Sequence, residues 1–122
     1  MKKEIEIRFE KVAYEKYHEI ILAVETNKSS RSKPNHESIL NSINQKLDKL
    51  KLNPYAGDLI SRKHLSKRTI NFYGTDQLFK TSLIVYWRLI YTLIGEEAKI
   101  IVFILEYVNH EIYNKRFGYK KR

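Results

Sequence analysis

The hydrophobic residues of the chain follow two periods, one typical of strands and one typical of helices. The stretch "EIEIRF" at residues 4–9 alternates apolar and charged residues, which predicts a half-buried strand. Across residues 12–24 the apolar positions recur every three or four residues, which predicts an amphipathic helix. The same spacing between residues 39 and 50 predicts a second helix, and the polar segment 28–36 separates the two. We therefore expect a helical hairpin that follows an N-terminal strand.

The C-terminal half of the chain predicts a β-hairpin followed by a short helix. "VYWRLIYTLI" ends at Gly95, "GEEA" forms a turn, and "KIIVFILEYV" is apolar enough to be a central strand. Residues 110–117 are helical in character, with Gly118 as a stop. Residues 77–84 are predicted as a further strand, whereas residues 70–73 fit either a short strand or a loop packed by aromatic residues. This order of elements predicts an α+β fold with an antiparallel sheet.

The composition limits the class of protein. A chain of 122 residues with 30% charged and 43% hydrophobic residues fits one globular domain with its own core. No apolar run approaches the roughly 18 residues of a membrane-spanning helix, and the N-terminus lacks the apolar region of a signal peptide. Because cysteine is absent, disulfides, thiolate zinc sites and cysteine nucleophiles are excluded. We expect a cytoplasmic protein without membrane contact.

The positive charge is concentrated in the C-terminal half. The net charge is +9, and residues 61–122 hold 12 Lys+Arg against 5 Asp+Glu, compared with 11 against 9 in residues 1–60. A segregated positive charge attracts polyanions, which favours nucleic-acid or ribosome binding over the alternative of a charge that only confers solubility. The residues expected to contact nucleic acid are Arg62, Lys63, Lys67, Arg68, Lys115, Arg116, Lys120 and Lys121.

One arginine interrupts an apolar strand. If Trp87, Leu89 and Tyr91 face the helices, Arg88 emerges on the opposite face of the sheet. An arginine in so apolar a strand needs a carboxylate or a phosphate as its partner. The alternative is an arginine with a buried stem and a head group in water. The residue alone does not decide between the two.

The C-terminal helix carries a second set of candidate residues. His110, Tyr113, Asn114 and Phe117 fall on one helical face, where Phe117 is expected to anchor the helix in the core. His110 has the chemistry of a general acid or base near neutral pH, and Tyr113 that of a base-stacking residue. The alternative is that both only pack at an interface. The four histidines show no metal-ligand spacing and the chain has no glycine-rich phosphate loop, so no metal or cofactor is expected.

Two motifs in the last third of the chain resemble a known family. "WRLIYTLIG" followed by "IIVFILEYVNHEIYNKRFGYKK" resembles the C-terminal half of the RelE/ParE superfamily of type II toxin–antitoxin toxins. More narrowly, the ending "RFGYKK" with its preceding histidine and tyrosine is similar to archaeal-type RelE-like proteins. The likeness covers residues 77–121 at the level of motifs, and nearly the whole chain in the order of its elements.

The resemblance implies a fold, an activity and partners. It implies one toxin domain over residues 1–122, in which an N-terminal strand and a two-helix hairpin pack on a twisted antiparallel sheet, with a short C-terminal helix. RelE members cut mRNA in the ribosomal A site without a metal, whereas ParE members poison DNA gyrase. The implied partners are a cognate antitoxin, the ribosome and mRNA, and a higher-order toxin–antitoxin oligomer is compatible with it. No cofactor is implied.

The resemblance also implies roles for individual residues. Arg88 matches the arginine that contacts the scissile phosphate, and Lys80 matches a basic residue on the preceding strand. His110 stands where many members place a general acid, and Tyr113 resembles the tyrosine that stacks on the substrate base. Ser82 occupies a position at which RelE has a second lysine, so one basic group of the pair is missing.

The leading hypothesis is a ribosome-dependent mRNA endoribonuclease, held inactive by its antitoxin, in which the ribose 2′-hydroxyl attacks the adjacent phosphate. Lys115 and Arg116 would dock on ribosomal RNA. The alternative hypothesis is a non-catalytic binding protein with the same fold, either gyrase-directed or an inactive RNA- or ribosome-binding relative. A purely structural basic protein is a third hypothesis, which the position of Arg88 disfavours.

Overall fold

The computed structural model describes residues 3–26, 36–96 and 98–118. None of the helices in these ranges is long and apolar enough to cross a lipid bilayer. The elements, in chain order, are β1 (Glu4–Phe9), α1 (Lys11–Glu25), α2 (His36–Leu52), β2 (Asp58–Leu59), a single 3-10 turn (Arg62–His64), α3 (Lys67–Tyr73), β3 (Phe79–Ser82), a second 3-10 turn (Ile84–Tyr86), β4 (Arg88–Gly95), β5 (Lys99–Val108) and α4 (His110–Phe117).

The five strands form one mixed sheet in the order β1-β5-β4-β3-β2. The pairs β5/β4, β4/β3 and β3/β2 are antiparallel, as the hairpin pattern predicts. β1 instead runs parallel to β5, because the helical hairpin carries the chain back before the C-terminal strands begin. The predicted α+β fold class is therefore confirmed, with one parallel pair added to an otherwise antiparallel sheet.

Helices cover both faces of the sheet. On the first face, α1 and α2 pack Ile20, Ile43 and Leu50 against strand residues that include Leu89 and Tyr91. A second core on the opposite face joins residues of the sheet to α4, and its members are Ile60, Leu78, Ile90, Val108, Tyr113 and Phe117. A strand buried on both faces needs apolar residues at successive positions, which explains the continuous run "KIIVFILEYV" in β5. The predicted alternation along β4 is confirmed.

Residues 67–73 form a helix, and neither of the two structures predicted around residues 70–73 is correct. The helix begins where the Ser66 hydroxyl accepts a hydrogen bond from the Thr69 amide at 3.1 Å. It ends at Gly74, which has a left-handed φ of 77°. Both are standard helix-capping devices. A helix of seven residues has too few turns for its apolar residues to show a helical period in the sequence.

β4 begins later than its apolar sequence predicts, at Arg88 instead of Val85. The preceding residues form a 3-10 turn in which Val85 and Tyr86 both have positive φ, 51° and 64°. A β-branched residue rarely adopts this conformation, so nothing in the sequence indicates it. The turn is held at both ends: the Ile84 amide donates to the Ser42 hydroxyl at 3.1 Å, and the Leu83 amide donates to the Trp87 carbonyl at 2.8 Å.

Gly57 lies against the sheet so closely that no side chain fits. A Cβ at this position would be 2.7 Å from the Lys80 carbonyl oxygen and closer still to the Tyr91 hydroxyl. We expect Gly57→Ala to lower the free energy of unfolding by about 1–3 kcal/mol, the usual cost of overpacking, measured by urea denaturation. The matched control is Gly95→Ala, because no atom lies within 4 Å of a Cβ there. Equal stabilities of the two variants would contradict this prediction.

Candidate active site and basic cavity

Lys80 and Arg88 lie on the same face of the sheet. In the β3/β4 ladder Lys80 pairs with Ile90 and Ser82 pairs with Arg88. Because side chains alternate along a strand, Lys80 and Arg88 point to the same side as Ile90, which belongs to the second core. Both cations are half-buried. The strand register thus brings together two predicted site residues from different strands. The sequence alone does not determine this register.

The Tyr113 ring joins the two cations. Lys80 Nζ lies 5.3 Å from the centroid of this ring and Arg88 Cζ lies 5.7 Å from it. A cation is attracted to an aromatic face at such distances. Tyr113 is only 4% exposed and packs against Phe117 with ring centroids 4.7 Å apart. In this conformation the ring positions two positive charges, and it would stack on an RNA base only if α4 moved.

His110 is the exposed first residue of α4. The helix begins at Asn109, whose side chain accepts a hydrogen bond from the Ile112 amide at 2.9 Å. The His110 imidazole makes an edge-to-face contact with the ring of Tyr86, with centroids 5.7 Å apart. Arg88 pairs with Val108, two residues before the histidine, so His110 lies at the same end of the sheet as Arg88. The structure therefore places the candidate acid His110 at the end of β5 that pairs with the start of β4, where Arg88 lies.

A basic cavity of about 560 Å³ lies between the 3-10 turn at residues 62–64, α3 and α4. Its lining includes Lys63, Arg68, Lys115 and Arg116, and none of its lining residues is acidic. The exposed ring of Phe72 also contributes to the wall. Two basic segments that are about fifty positions apart in the sequence thus share one concave surface, which suits a phosphate-rich ligand.

Arg116 has a carboxylate partner behind this cavity. Its guanidinium forms an ion pair with Glu106 of β5 and donates a hydrogen bond to the Tyr73 hydroxyl at 3.1 Å. The Tyr73 hydroxyl in turn donates to Glu106 Oε2 at 2.7 Å. Burial, with the adjacent Glu106 charge, raises the pKa of Tyr73 far above its usual range, so the phenol keeps its proton. We call Tyr73, Glu106 and Arg116 the α4 latch.

The latch fixes the C-terminal half of α4 to the rest of the protein. Thr69 adds a hydrogen bond from its hydroxyl to the Arg116 carbonyl at 2.5 Å, and the Arg116 guanidinium lies 4.2 Å from the centroid of the Phe72 ring. Neither Glu106 nor Tyr73 is among the functional residues that the sequence predicts. The sequence does contain a signal for Glu106, since it is the only acidic residue within the apolar run of β5. A lone charge in a buried strand requires a partner.

Two of the remaining predicted residues, Arg62 and Lys67, do not line the basic cavity. Arg62 forms an exposed ion pair with Asp76 at 3.3 Å, and Lys67 is the exposed first residue of α3. Lys120 and Lys121 lie outside the described residues. Within the ranges that the structure describes, no three His, Asp or Glu residues come together in a way that could hold a metal ion.

Comparison with known proteins identifies the fold. No protein-family model and no curated protein matches the sequence. Among solved structures, the YoeB/ParE toxin from Agrobacterium tumefaciens is similar, with a TM-score of 0.51 and 13% sequence identity, over 86% of this chain and 98% of that chain. The chain has the fold of this toxin. The similarity at this identity is one of backbone arrangement, and it confirms the fold that the C-terminal motifs imply.

The toxin fold accounts for where the candidate residues lie. Lys80 and Arg88 come from neighbouring strands, β3 and β4, and Tyr113 comes from the helix that closes the same face. The face is therefore partly covered by α4, and the contact between Tyr86 and His110 joins the 3-10 turn at residues 84–86 to the first turn of that helix.

Proposed function

We propose that the protein is a toxin that cleaves mRNA on the ribosome, of the RelE-like kind that its C-terminal motif resembles. The observation that carries the proposal is the convergence of Lys80 and Arg88 on the ring of Tyr113, with His110 at the same end of the sheet as Arg88. Two half-buried cations at one point are suited to a phosphate, because partial burial strengthens their attraction for the anion. The toxin fold and the basic cavity support the same substrate class.

The proposed reaction is an internal transfer at phosphorus. The ribose 2′-oxygen attacks the adjacent phosphate and passes its proton to water, and the bond from phosphorus to the 5′-oxygen of the next nucleotide breaks. The products are a 2′,3′-cyclic phosphate and a free 5′-hydroxyl. Lys80 and Arg88 stabilise the additional negative charge of the pentacoordinate transition state. His110, as the imidazolium, donates a proton to the leaving 5′-oxygen.

Incubation of the purified protein with an mRNA on programmed ribosomes, followed by primer extension, tests the proposal. We expect cuts within the A-site codon that appear only when ribosomes are present. Intact mRNA, from protein that is folded by circular dichroism, would refute the nuclease and favour the non-catalytic alternative. A gyrase supercoiling assay on the same preparation then separates a gyrase-directed toxin from an inactive RNA-binding relative.

We further propose that a cognate antitoxin protein controls the toxin. β1 is an outer strand of the sheet, so one edge of it carries backbone groups that can pair with an added strand. Apolar side chains of α1 near this edge are exposed, with Val12 at 52% and Tyr14 at 51%. A partner that adds a strand to β1 and covers α1 would bury both features.

The basic cavity predicts how binding depends on salt. Replacing Lys63, Arg68 and Lys115 together by alanine should weaken ribosome binding. If each contacts one phosphate, the decrease of log affinity with log salt should also become less steep, by about 2–3 in the slope. Co-sedimentation with ribosomes at several salt concentrations measures this slope. The control removes the same charge from the helices of the opposite face, through Lys11→Ala, Lys49→Ala and Lys51→Ala. Equal slopes for the two triple variants would contradict the prediction.

A further inference from the structure

We infer that Tyr86 is the residue on which the substrate base stacks, a role that rests on the proposed RNA substrate. Tyr113, the tyrosine implied by the family motif, is 4% exposed and its ring is covered by Lys80 and Arg88. Tyr86 is 68% exposed and lies two residues before Arg88. It is thus an aromatic ring beside the cationic pair that a base can reach without any movement of α4.

The backbone at Tyr86 is built to present this ring outward. Val85 and Tyr86 both adopt positive φ, which costs a non-glycine residue energy that the surrounding structure must supply. Here two hydrogen bonds that hold the turn, Ile84–Ser42 and Leu83–Trp87, offset this energetic cost. Glycine or asparagine would suit the conformation better. A tyrosine in this position is therefore not explained by the stability of the turn.

The surroundings of the ring match a nucleotide. One edge of Tyr86 contacts the imidazole of His110, which fixes the ring beside the proposed proton donor. A base stacked on the exposed part of Tyr86 would bring its own ribose and phosphate close to His110, because the two rings are in contact. Stacking on an aromatic face tolerates every base, so Tyr86 positions the nucleotide without selecting the codon.

A fluorescence experiment tests stacking separately from cleavage. The probe is a short mRNA with 2-aminopurine in the A-site codon and 2′-O-methyl groups there to prevent cutting, bound to programmed ribosomes. Stacking on a ring quenches 2-aminopurine. We expect quenching by the wild type and by Tyr86→Phe, and no quenching by Tyr86→Asn or Tyr86→Leu. The affinity of the last two should fall on the order of 10- to 100-fold.

Matched controls separate stacking from a structural role. Tyr86→Asn and Tyr86→Gly should unfold at the same temperature as the wild type or higher, since both residues accept positive φ. Tyr55→Asn removes a comparably exposed tyrosine, whose ring contacts Phe79 on the side of the sheet that packs against α1 and α2, and should quench like the wild type.

The outcomes also distinguish this inference from the proposed function. If the wild type does not quench the probe, or if Tyr86→Asn still quenches it, Tyr86 is not the residue on which the base stacks. This holds whether or not an unmodified mRNA is cut. Tyr86-dependent quenching without any cutting of unmodified mRNA supports the stacking role and refutes the nuclease.

Discussion

Arg88→Ala is expected to reduce the rate of ribosome-dependent mRNA cleavage by at least about 100-fold, the usual loss when one group that stabilises transition-state charge is removed. Arg88 lies over the Tyr113 ring and beside Lys80, so its removal leaves a single cation to meet the developing charge. Single-turnover primer extension with excess protein measures the rate of the chemical step.

Two further variants sharpen this prediction. Arg88→Lys should fall between the wild type and Arg88→Ala, because lysine keeps the charge but cannot form two parallel hydrogen bonds to a phosphate. Arg8→Ala removes an exposed arginine from β1, at the outer edge of the sheet, and should cut like the wild type. If Arg88→Ala cut as fast as Arg8→Ala, Arg88 would have no catalytic role.

Glu106→Gln is expected to lower the free energy of unfolding by about 2–4 kcal/mol, because it leaves the Arg116 charge without its partner beside α3. The Glu106 side chain is 13% exposed and that of Arg116 28% exposed, so water replaces the lost partner only in part. The midpoint of thermal unfolding should fall by roughly 10 °C, measured by circular dichroism. The loss should be greatest in α4, where amide hydrogen exchange should become faster.

A second substitution shows whether the ion pair itself is responsible. Glu106→Leu with Arg116→Met replaces the pair by apolar residues of similar size and should recover much of the stability, since no unpaired charge remains. Asp76→Asn breaks the exposed ion pair with Arg62 at 3.3 Å and should change the midpoint far less. If the double variant were no more stable than Glu106→Gln, the unpaired charge would not explain the loss.

The elements that follow a clear hydrophobic period could be predicted from the sequence, and those set by local backbone conformation could not. β1, α1 and α2 have the predicted positions because each shows several alternations or turns of apolar residues, whereas β5 was predicted from its continuous apolar run. α3 is a single capped segment, and only the Ser66 and Gly74 caps indicated it. The late start of β4 depends on positive φ at Val85, which its sequence disfavours.

The candidate site was predictable in part for a related reason. Alternation along β4 was sufficient to place Arg88 on the face opposite Leu89 and Tyr91, and the structure confirms this. The proximity of Lys80 to Arg88 depends on strand register, and the burial of Tyr113 depends on how α4 docks. Neither register nor docking is encoded in a local pattern, because both result from packing over long sequence separations.

The parallel pairing of β1 with β5 makes the sheet depend on two segments that are synthesised far apart in time. Residues 4–9 pair with residues 99–104, so the chain must close a loop that spans residues 10–98 before the sheet is complete. Tyr113, which joins Lys80 and Arg88, emerges later still. A growing chain therefore holds Lys80, Arg88 and Tyr113 apart until residues 99–113 have been synthesised and the sheet has assembled.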